Sequence, residues 1–350
     1  MIVRQLFDHV SSTYSYLLAD PHSRDAVLID SVFEQHARDA ALIRELGLNL
    51  RSTLDTHCHA DHVTGAWLMH EAFGSRIALS GAYGARNIDT PLGAGDTVRF
   101  GDEVLEIRAT PGHTVGCLSF VTADHAIVFT GDALLVRGAG RTDFQEGDPH
   151  ALFWSIRDQL FTLPDACIVY PGHDYDGRTS STIGEERQHN PRIGGGAREE
   201  DFIGYMRNLG LPHPKQLAVA VPANLAAGRP EPDELPVAAD WGPVVTTYAG
   251  LKQIAPEWLA GHRDEVHLLD VRSASEFDGE LGHLEGAQLI PLDELRARVG
   301  EVTRDKPVVV VCQTGKRSGM GTVMLAKAGV TRIANLAGGM VRWRELGLPS

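Results

Sequence analysis

Three histidines and an aspartate fall within six positions in the segment THCHADHVTG, residues 56–65. They form the pattern H-x-H-x-D-H, with His57, His59, Asp61 and His62 as its members. Imidazole and carboxylate groups are suitable ligands for zinc, iron or manganese. So many of these residues in one short stretch indicate a metal site rather than ordinary surface histidines.

Further candidate ligands follow along the chain, each directly after an apolar, strand-like run. They are His113 in TPGHT, Asp132 in FTGDALL and His173 in YPGHDY. Strand-end loops are frequent places for binding residues in folds with stacked α and β layers. A lone histidine is usually explained by packing, but this ordered set predicts a metal centre. The ligand types alone permit either one ion or two.

A reactive cysteine is predicted in KPVVVVCQTGKRSGMGTVMLAKAG, where Cys312 ends a strand and precedes a loop and a helix. Two loop cations and the unpaired N–H groups of the helix start favour the thiolate, so we expect a nucleophile rather than an inert packed cysteine. Only four residues separate Cys312 from the loop arginine, which suits a single sulfur atom better than a phosphate. The predicted sulfur-binding loop consists of Gln313, Thr314, Gly315, Lys316 and Arg317.

The composition sets limits on the class of protein. The 350 residues are 43% hydrophobic and 22% charged, which is typical of a soluble globular chain with room for two domains. A net charge of −14 argues against nucleic acid as a partner. The N-terminal sequence does not have the pattern of a signal peptide, and no run approaches the roughly 20 apolar residues that a membrane span needs. We therefore expect a cytoplasmic protein without a membrane partner.

The four cysteines are widely spaced, which fits a reducing compartment. Two of them, Cys58 and Cys117, stand beside candidate metal ligands, and Cys167 opens the strand-like run CIVYPGH. We expect these three to be small packing residues, the usual state of an isolated buried cysteine.

Short apolar runs such as AVLID and IALSG predict strands in the first half, and FEQHARDAALIRELGL and HALFWSIRDQLFTLP predict helices. Residues 222–245 contain five prolines and predict a linker, with a domain boundary near residue 240. Beyond it, LKQIAPEWLAG and SGMGTVMLAKAG predict helices, while VHLLDV and KPVVVVC predict buried strands. The chain is therefore predicted to be an α/β protein with domains at residues 1–240 and 246–350.

The ordered motifs H-x-H-x-D-H, G-H-T, G-D and G-H, over about residues 1–200, resemble the metallo-β-lactamase superfamily. The resemblance implies an αββα sandwich with a metal site at one edge. Residues 140–192, together with PGHTVGCLSF and LAVAVPAN, look like its persulfide dioxygenase subfamily. Cys117 stands where glyoxalase II enzymes usually have a histidine, which also favours that subfamily.

By this resemblance, His57, His113 and Asp132 hold one Fe(II) per chain. His59, Asp61, His62 and His173 then act as hydrogen-bond partners around the ligands. Two imidazoles and one carboxylate leave open positions on octahedral iron, which an oxygenase needs for its sulfur substrate and O₂. The implied reaction oxidises glutathione persulfide with O₂ to sulfite and glutathione, and the resemblance also suggests a homodimer. The candidate glutathione-binding residues are Arg141, Thr142, Tyr175, Arg178 and Asn224.

An alternative from another reaction class is a zinc hydroxyacylglutathione hydrolase with an appended sulfur-carrier domain. A binuclear site would use His57, His59 and His113 for one zinc ion. It would use Asp61, His62 and His173 for the other, with Asp132 bridging the two. The ligand types do not decide between this site and a single iron.

Residues 268–295, LLDVRSASEFDGELGHLEGAQLIPLDEL, resemble the rhodanese family, with Glu285 where proline is usual. The resemblance covers about residues 246–350 and implies a rhodanese-like α/β domain with a central parallel sheet. It also implies that Cys312 accepts the outer sulfur of a donor such as thiosulfate or a persulfide, and that a thiol such as glutathione then removes it. Asp270 and Arg272 are most simply a structural ion pair. The alternative role for this domain is sulfur sensing or docking.

Overall fold

The structure is a computed structural model that describes residues 1–231 and 239–349. The chain divides into two compact units, Met1–His36 with Leu46–Asp233 and Ala37–Glu45 with Glu234–Ser350. The predicted linker begins inside a helix that ends at residue 224, and its residues 232–238 lie outside the described part. In the described residues, every helix is too short or too polar to cross a membrane.

The secondary structure alternates short strands with helices in both units. The strands are β1 (Ile2–Phe7), β2 (Tyr14–Ala19), β3 (Asp25–Ile29), β4 (Asn49–Leu54), β5 (Arg76–Ser80), β6 (Thr90–Leu92), β7 (Thr97–Phe100), β8 (Glu103–Ala109), β9 (Leu118–Thr122), β10 (Ile127–Gly131), β11 (Leu134–Leu135), β12 (Gly138–Ala139), β13 (Ile168–Pro171), β14 (Ser181–Thr182), β15 (Val245–Thr246), β16 (Lys252–Ile254), β17 (His267–Asp270), β18 (Gln288–Leu289), β19 (Val308–Val311) and β20 (Ile333–Leu336). The α-helices are α1 (His36–Glu45), α2 (Ala66–Phe73), α3 (Pro149–Ser155), α4 (Ile183–His189), α5 (Glu199–Arg207), α6 (Leu217–Asn224), α7 (Pro256–Gly261), α8 (Ala274–Phe277), α9 (Leu292–Leu295), α10 (Lys316–Lys327) and α11 (Gly339–Glu345).

The first unit is built on two six-stranded sheets, in the orders β1-β2-β3-β4-β5-β6 and β14-β13-β10-β9-β8-β7. Neighbouring residues of a strand point to opposite faces, so each sheet can be buried on both sides. On β9, Phe120 joins the core shared with Tyr16 of the first sheet, whereas Val121 packs with Leu152 and Phe202 on the helical side.

Helices cover the outer faces of these sheets. Leu152 of α3 and Phe202 of α5 belong to the core on the outer side of the second sheet. Ala66 of α2 packs with Ile77 of β5 on the first. The order of layers is therefore helix, sheet, sheet, helix, and the predicted αββα sandwich is confirmed.

The second unit has a six-stranded sheet in the order β15-β16-β20-β19-β17-β18, whose strands are all parallel except β15. All four residues of β19 are buried. Val309 and Val311 pack with Trp343 of α11, while Val308 and Val310 pack with Leu325 of α10. Helices on both faces of a parallel sheet confirm the predicted rhodanese-like α/β fold.

One predicted helix begins later than expected. Within LKQIAPEWLAG, residues 252–254 form strand β16, and α7 starts only at Pro256. Ala255 is extended, with ψ at 141°. Proline disfavours helical geometry in the residue before it and is well suited to the first helical position, so the helix prediction is wrong for the first part of this segment.

Candidate functional site

The H-x-H-x-D-H loop follows β4 and is held at the sheet edge by Asp30. Its three histidines, His57, His59 and His62, are buried. Strands β3 and β4 are parallel neighbours, so Asp30, directly after β3, lies beside the start of the loop. The Asp30 carboxylate accepts hydrogen bonds from the Thr56 backbone N–H at 2.7 Å and the Thr56 hydroxyl at 2.9 Å, and it lies 3.2 Å from His59 Nε2.

The second sheet contributes the remaining candidate ligands. His113 follows β8, Asp132 directly follows β10, and His173 follows β13. Because β10 and β13 are parallel neighbours, their ends bring His173 Nδ1 to 2.7 Å from Asp132 Oδ1. Gly172 allows this approach, since a Cβ at that position would lie 2.7 Å from the same carboxylate oxygen.

His57, His113 and Asp132 form a compact group whose potential ligand atoms all lie within 4.8 Å of one another. His113 Nδ1 lies 2.6 Å from the Arg141 carbonyl oxygen, so it carries the proton and Nε2 is free to bind a metal. Asp132 uses Oδ1 for His173, and its Oδ2 lies 3.6 Å from His113 Nε2. Two imidazoles and one carboxylate, with ligand atoms this close, fit a ferrous ion.

His59, Asp61 and His62 form a second group within the same 4.8 Å limit. Asp61 Oδ2 lies 3.2 Å from His62 Nδ1 and 2.9 Å from His173 Nε2. In the described part of the chain, His59 Nδ1 and His62 Nε2 are buried without a hydrogen-bond partner. These two nitrogens could bind another ion. That this group serves only as hydrogen-bond partners therefore stays a prediction.

The charges at the site are set by burial and by close pairing. Burial, and then the neighbouring His59, hold the pKa of His57 well below its ordinary value, so its ring is neutral. Burial alone would raise the pKa of Asp132, but His173 and the candidate ligands His113 and His57 lower it. Burial alone would lower the pKa of His173, yet the carboxylates of Asp132 and Asp61 raise it well above its ordinary value. The charged imidazole of His173 thus lies between the carboxylates of Asp132 and Asp61.

The metal-ligand group opens into a cavity of about 800 Å³. Arg141, Tyr175 and Arg178 line it, as expected for residues that contact a substrate. The Arg141 guanidinium is also engaged by the Asp143 carboxylate at 2.6 Å and by two backbone carbonyls. Three further basic residues, which the sequence did not single out, also line the cavity: Arg137, which is paired with Glu185 and Glu186, Arg192 and Lys215.

Two predicted glutathione-binding residues are placed elsewhere. Thr142 is buried and lies outside the cavity lining. Asn224 is also buried, and its amide accepts a hydrogen bond from the Thr64 N–H at 2.8 Å. It donates to the carbonyls of His59 and His62, both at 2.9 Å. The structure places neither residue in the cavity lining, so their substrate-binding role stays a prediction. The Asn224 side chain fixes the backbone of the metal-binding loop.

Replacing Asn224 with alanine is expected to lower the free energy of unfolding by about 3 kcal/mol, because it leaves three buried backbone groups without partners. Urea denaturation of the whole chain measures the change. Asn208→Ala is the matched control, since the Asn208 side chain is exposed and bonds only one carbonyl in its own helix at 2.8 Å. Equal destabilisation by the two substitutions would contradict the role given to Asn224.

Cys58, Cys117 and Cys167 are buried and free of disulfides. Burial raises the pKa of the Cys58 and Cys117 thiols to about 12 and that of Cys167 to about 11. All three are therefore thiols at neutral pH, in agreement with the predicted packing role.

Cys312 lies at the end of β19, where the chain turns into α10. The turn uses Gly315, whose φ of 87° favours glycine. The Gly315 N–H donates to Cys312 Sγ at 3.2 Å, and the Ser318 hydroxyl lies 3.1 Å from the same sulfur. The start of α10 thus directs polar hydrogens at a buried sulfur atom, as the sequence predicted for the helix N-terminus.

The cations of the loop are arranged differently from the prediction. Both Arg317 Nη atoms contact the carboxylate of Glu276, with Nη1 at 2.7 Å from Oε2. The charge of Arg317 is therefore shared with a carboxylate. The contact of Glu276 with this loop was not predicted from the sequence motifs. The other predicted loop side chains are exposed: Gln313, Thr314 and Lys316.

Asp270 and Arg272 form the predicted structural ion pair at the end of β17. Both are fully buried, and Arg272 Nη2 lies 2.7 Å from Asp270 Oδ2. The guanidinium also donates to the carbonyls of Glu276 and Gly282, at 3.1 and 2.8 Å. The pair therefore ties α8 and the following loop to the strand end, and this prediction is confirmed.

The Glu276–Arg317 pair predicts a pH-dependent contribution to stability. The hydrogen bond from Arg317 is the main cause that lowers the pKa of Glu276 from 4.5 to about 2. Because the pKa of Glu276 is lower in the folded state, the ion pair stabilises the folded protein at pH values above 4.5. This stabilisation is lost as the pH falls towards 2. Wild type should therefore exceed Glu276→Gln in urea resistance near neutral pH and converge with it in acid. Glu285→Gln, at an exposed position, is the control, and a difference that does not change with pH would contradict the pairing.

Comparison with known proteins places both units in families. The model of the metallo-beta-lactamase superfamily matches residues 10–173, and that of the rhodanese-like domain matches residues 255–346. Human mitochondrial persulfide dioxygenase ETHE1 is 51% identical over 229 residues, which cover 65% of this chain and 89% of the relative. The crystal structure of ETHE1 from Myxococcus xanthus is 49% identical with a TM-score of 0.63, and the match covers 65% of this chain and all of that one.

A hydrolase is also similar, at a lower level. The hydroxyacylglutathione hydrolase of Cereibacter sphaeroides is 36% identical over 168 residues, which cover 47% of this chain and 64% of the relative. The αββα fold, the H-x-H-x-D-H loop and the longer, closer matches to the ETHE1 proteins agree with one another. The chain therefore belongs to the metallo-β-lactamase superfamily, in the family of the ETHE1 persulfide dioxygenases, and carries a rhodanese-like domain at its C-terminal side.

Proposed function

We propose that this chain is a sulfur-metabolism enzyme with two activities. Its first unit is an Fe(II) dioxygenase that converts glutathione persulfide, O₂ and water into glutathione and sulfite. Its second unit transfers the sulfane sulfur of thiosulfate to glutathione through Cys312. The observation that carries the first activity is the group of His57, His113 and Asp132, in a chain whose match to human persulfide dioxygenase ETHE1 is 51% identical over 229 residues.

The first unit supports the dioxygenase by holding ligands in fixed positions. A ferrous ion bound there would activate O₂ towards the terminal sulfur of the persulfide. The Arg141 carbonyl fixes the orientation of His113, and His173 holds Asp132. The Phe144 ring lies edge-on to His113, with ring centroids 5.8 Å apart, and gives the cavity an apolar wall beside the ligands.

Basic side chains in the cavity lining support glutathione as the carrier of the persulfide. Glutathione has two carboxylates, and guanidinium groups bind carboxylates in a favourable planar geometry. Arg178, Arg192 and Lys215 line the same cavity as the metal ligands. We propose that these side chains bind the carboxylates and keep the persulfide sulfur at the iron.

The transferase proposal is supported by the hydrogen-bond donors around Cys312 Sγ, the Gly315 N–H and the Ser318 hydroxyl. The proposed reaction has two steps. The thiolate attacks the outer sulfur of thiosulfate, the S–S bond breaks, and sulfite leaves with the electron pair. Glutathione then attacks the outer sulfur of the Cys312 persulfide, which releases the Cys312 thiolate and glutathione persulfide. This product is the substrate of the first unit, so the two reactions can follow one another.

A second candidate function has one observation in its favour. His59 Nδ1 and His62 Nε2, beside Asp61, are buried and have no hydrogen-bond partner among the described residues. They could help to hold a pair of zinc ions, as a thioester hydrolase of the hydroxyacylglutathione type requires. Similarity to the hydrolase is lower and shorter than similarity to ETHE1. We therefore place the dioxygenase first.

Metal analysis and activity on one anaerobically purified sample test the proposal. We expect about one iron per chain and O₂ consumption that requires glutathione persulfide and produces sulfite. About two zinc ions per chain, with hydrolysis of a glutathione thioester and no persulfide-dependent O₂ consumption, would replace the proposal with the hydrolase.

We also propose a cytoplasmic location and a homodimer. The four free cysteines support a reducing compartment. Light scattering of the purified chain tests the dimer, and fractionation of the source cells tests the location.

A further inference from the structure

The side chains of Asn335, Ser318 and Cys312 form a buried series of hydrogen bonds that ends at the Cys312 sulfur. All three side chains are fully buried, and Asn335 lies in strand β20, next to β19 in the sheet. Ser318 Oγ lies 3.1 Å from Cys312 Sγ and is also hydrogen-bonded to the Asn335 amide. A polar amide in a buried strand needs hydrogen-bond partners, so its position beside this hydroxyl requires an explanation.

The single proton of the Ser318 hydroxyl restricts how the hydrogen bonds among Asn335, Ser318 and Cys312 can be arranged. A serine hydroxyl has one proton and can donate it to either the Asn335 amide or the sulfur of Cys312. With Asn335 Oδ1 facing Ser318, the amide Nδ2 is buried without a partner among the described residues. Rotating the amide by half a turn lets Nδ2 donate to Ser318 Oγ, and the hydroxyl proton is then free for the sulfur.

We propose that Ser318 is a catalytic residue of the sulfurtransferase and that Asn335 positions its hydroxyl proton. In this arrangement Asn335 donates to Ser318, and Ser318 donates to Cys312. The inference rests on the transferase activity proposed above and adds two residues to it. Together with the Gly315 N–H at 3.2 Å, the sulfur receives two hydrogen bonds.

These hydrogen bonds act whenever negative charge is on Cys312 Sγ. Before the reaction with thiosulfate, they favour the thiolate that forms the new S–S bond as sulfite leaves. When glutathione attacks the outer sulfur, the S–S bond to Cys312 breaks and its electron pair returns to Sγ. The same donors stabilise this departing thiolate, and a hydrogen bond to a charged group is worth more than one to a neutral group.

Ultraviolet thiolate absorbance of the whole chain, titrated against pH with Cys312→Ser as the blank, tests the inference without requiring transfer. We expect Ser318→Ala to move the midpoint of Cys312 ionisation to more alkaline pH and to slow sulfur transfer roughly tenfold. Ser318→Thr keeps a hydroxyl and should restore both. Asn335→Leu removes the amide donor without adding charge, so it should move the midpoint in the same direction and provides a second variant if Ser318→Ala is unstable.

Thr322→Val is the matched control. Thr322 is buried one turn further along α10, and its hydroxyl bonds the Ser318 carbonyl at 2.9 Å rather than the sulfur. An unchanged midpoint in Ser318→Ala and Asn335→Leu, or an equal change in Thr322→Val, would overturn the inference. If wild type shows no thiosulfate:glutathione transfer, the proposed transferase fails, while the titration still decides whether Ser318 stabilises the thiolate.

Discussion

Replacing His113 with alanine is expected to reduce the bound iron and the persulfide-dependent O₂ consumption to background. The substitution leaves one imidazole and one carboxylate from a group of three whose ligand atoms lie within 4.8 Å. It also removes the ring whose Nε2 is freed by the Nδ1 hydrogen bond to the Arg141 carbonyl. Iron analysis and an O₂ electrode, applied to the same anaerobic sample, measure both effects.

The control for this substitution is His125→Ala. The His125 side chain is exposed and contacts the Glu106 carboxylate at 3.2 Å, and it is not a predicted metal ligand. It should keep its iron and its O₂ consumption, and His113→Ala should keep thiosulfate:glutathione transfer. A His113→Ala protein that retains iron and turns over persulfide would show that the metal site has been assigned to the wrong residues.

Replacing Cys312 with serine is expected to remove sulfur transfer from thiosulfate to glutathione completely. Serine lacks a thiolate and cannot form the persulfide intermediate. O₂ consumption with thiosulfate and glutathione should then be lost, because no glutathione persulfide is made. O₂ consumption with glutathione persulfide supplied directly should equal that of wild type.

Cys167→Ser is the matched control, since Cys167 is a buried thiol with a pKa raised by burial to about 11. It should retain both activities. If Cys312→Ser left thiosulfate-dependent O₂ consumption unchanged, the coupling of the two reactions would be wrong. If wild type itself lacked transfer, the rhodanese-like unit would be better explained as a sensing or docking module.

Much of the fold could be predicted from local patterns. The apolar runs that become β5, β17 and β19 are short and bounded by polar loops, and β19 consists of four valines, so their strand character is encoded within a few residues. The layer order of the first unit came from the family resemblance, since periodicity does not determine which sheets face each other. A helix was predicted at residues 252–254, where the structure has strand β16. Periodicity did not show that Pro256, which starts α7, separates this strand from the helix.

The site was predictable where a motif carries it and unpredictable where distant chain segments meet. His57, His113 and Asp132 follow strands in recognisable motifs, and the structure brings them together. The structural role of Asn224 was not predictable, because its partners lie more than 160 residues earlier in the chain. Glu276 and Arg317 are separated by 41 positions, and only the folded chain shows that their charges are shared.

The metal-binding loop is anchored to the protein without the help of an ion. The Asp30 carboxylate holds Thr56, and the Asn224 amide holds the backbone at His59 and His62. In small metal-dependent domains, chelation unfolds the chain because the ion supplies the folding free energy. Here the apoprotein should remain folded after chelation, with its cooperative melting transition intact. Reconstitution with ferrous iron is then a binding step into a preorganised cage rather than a refolding reaction.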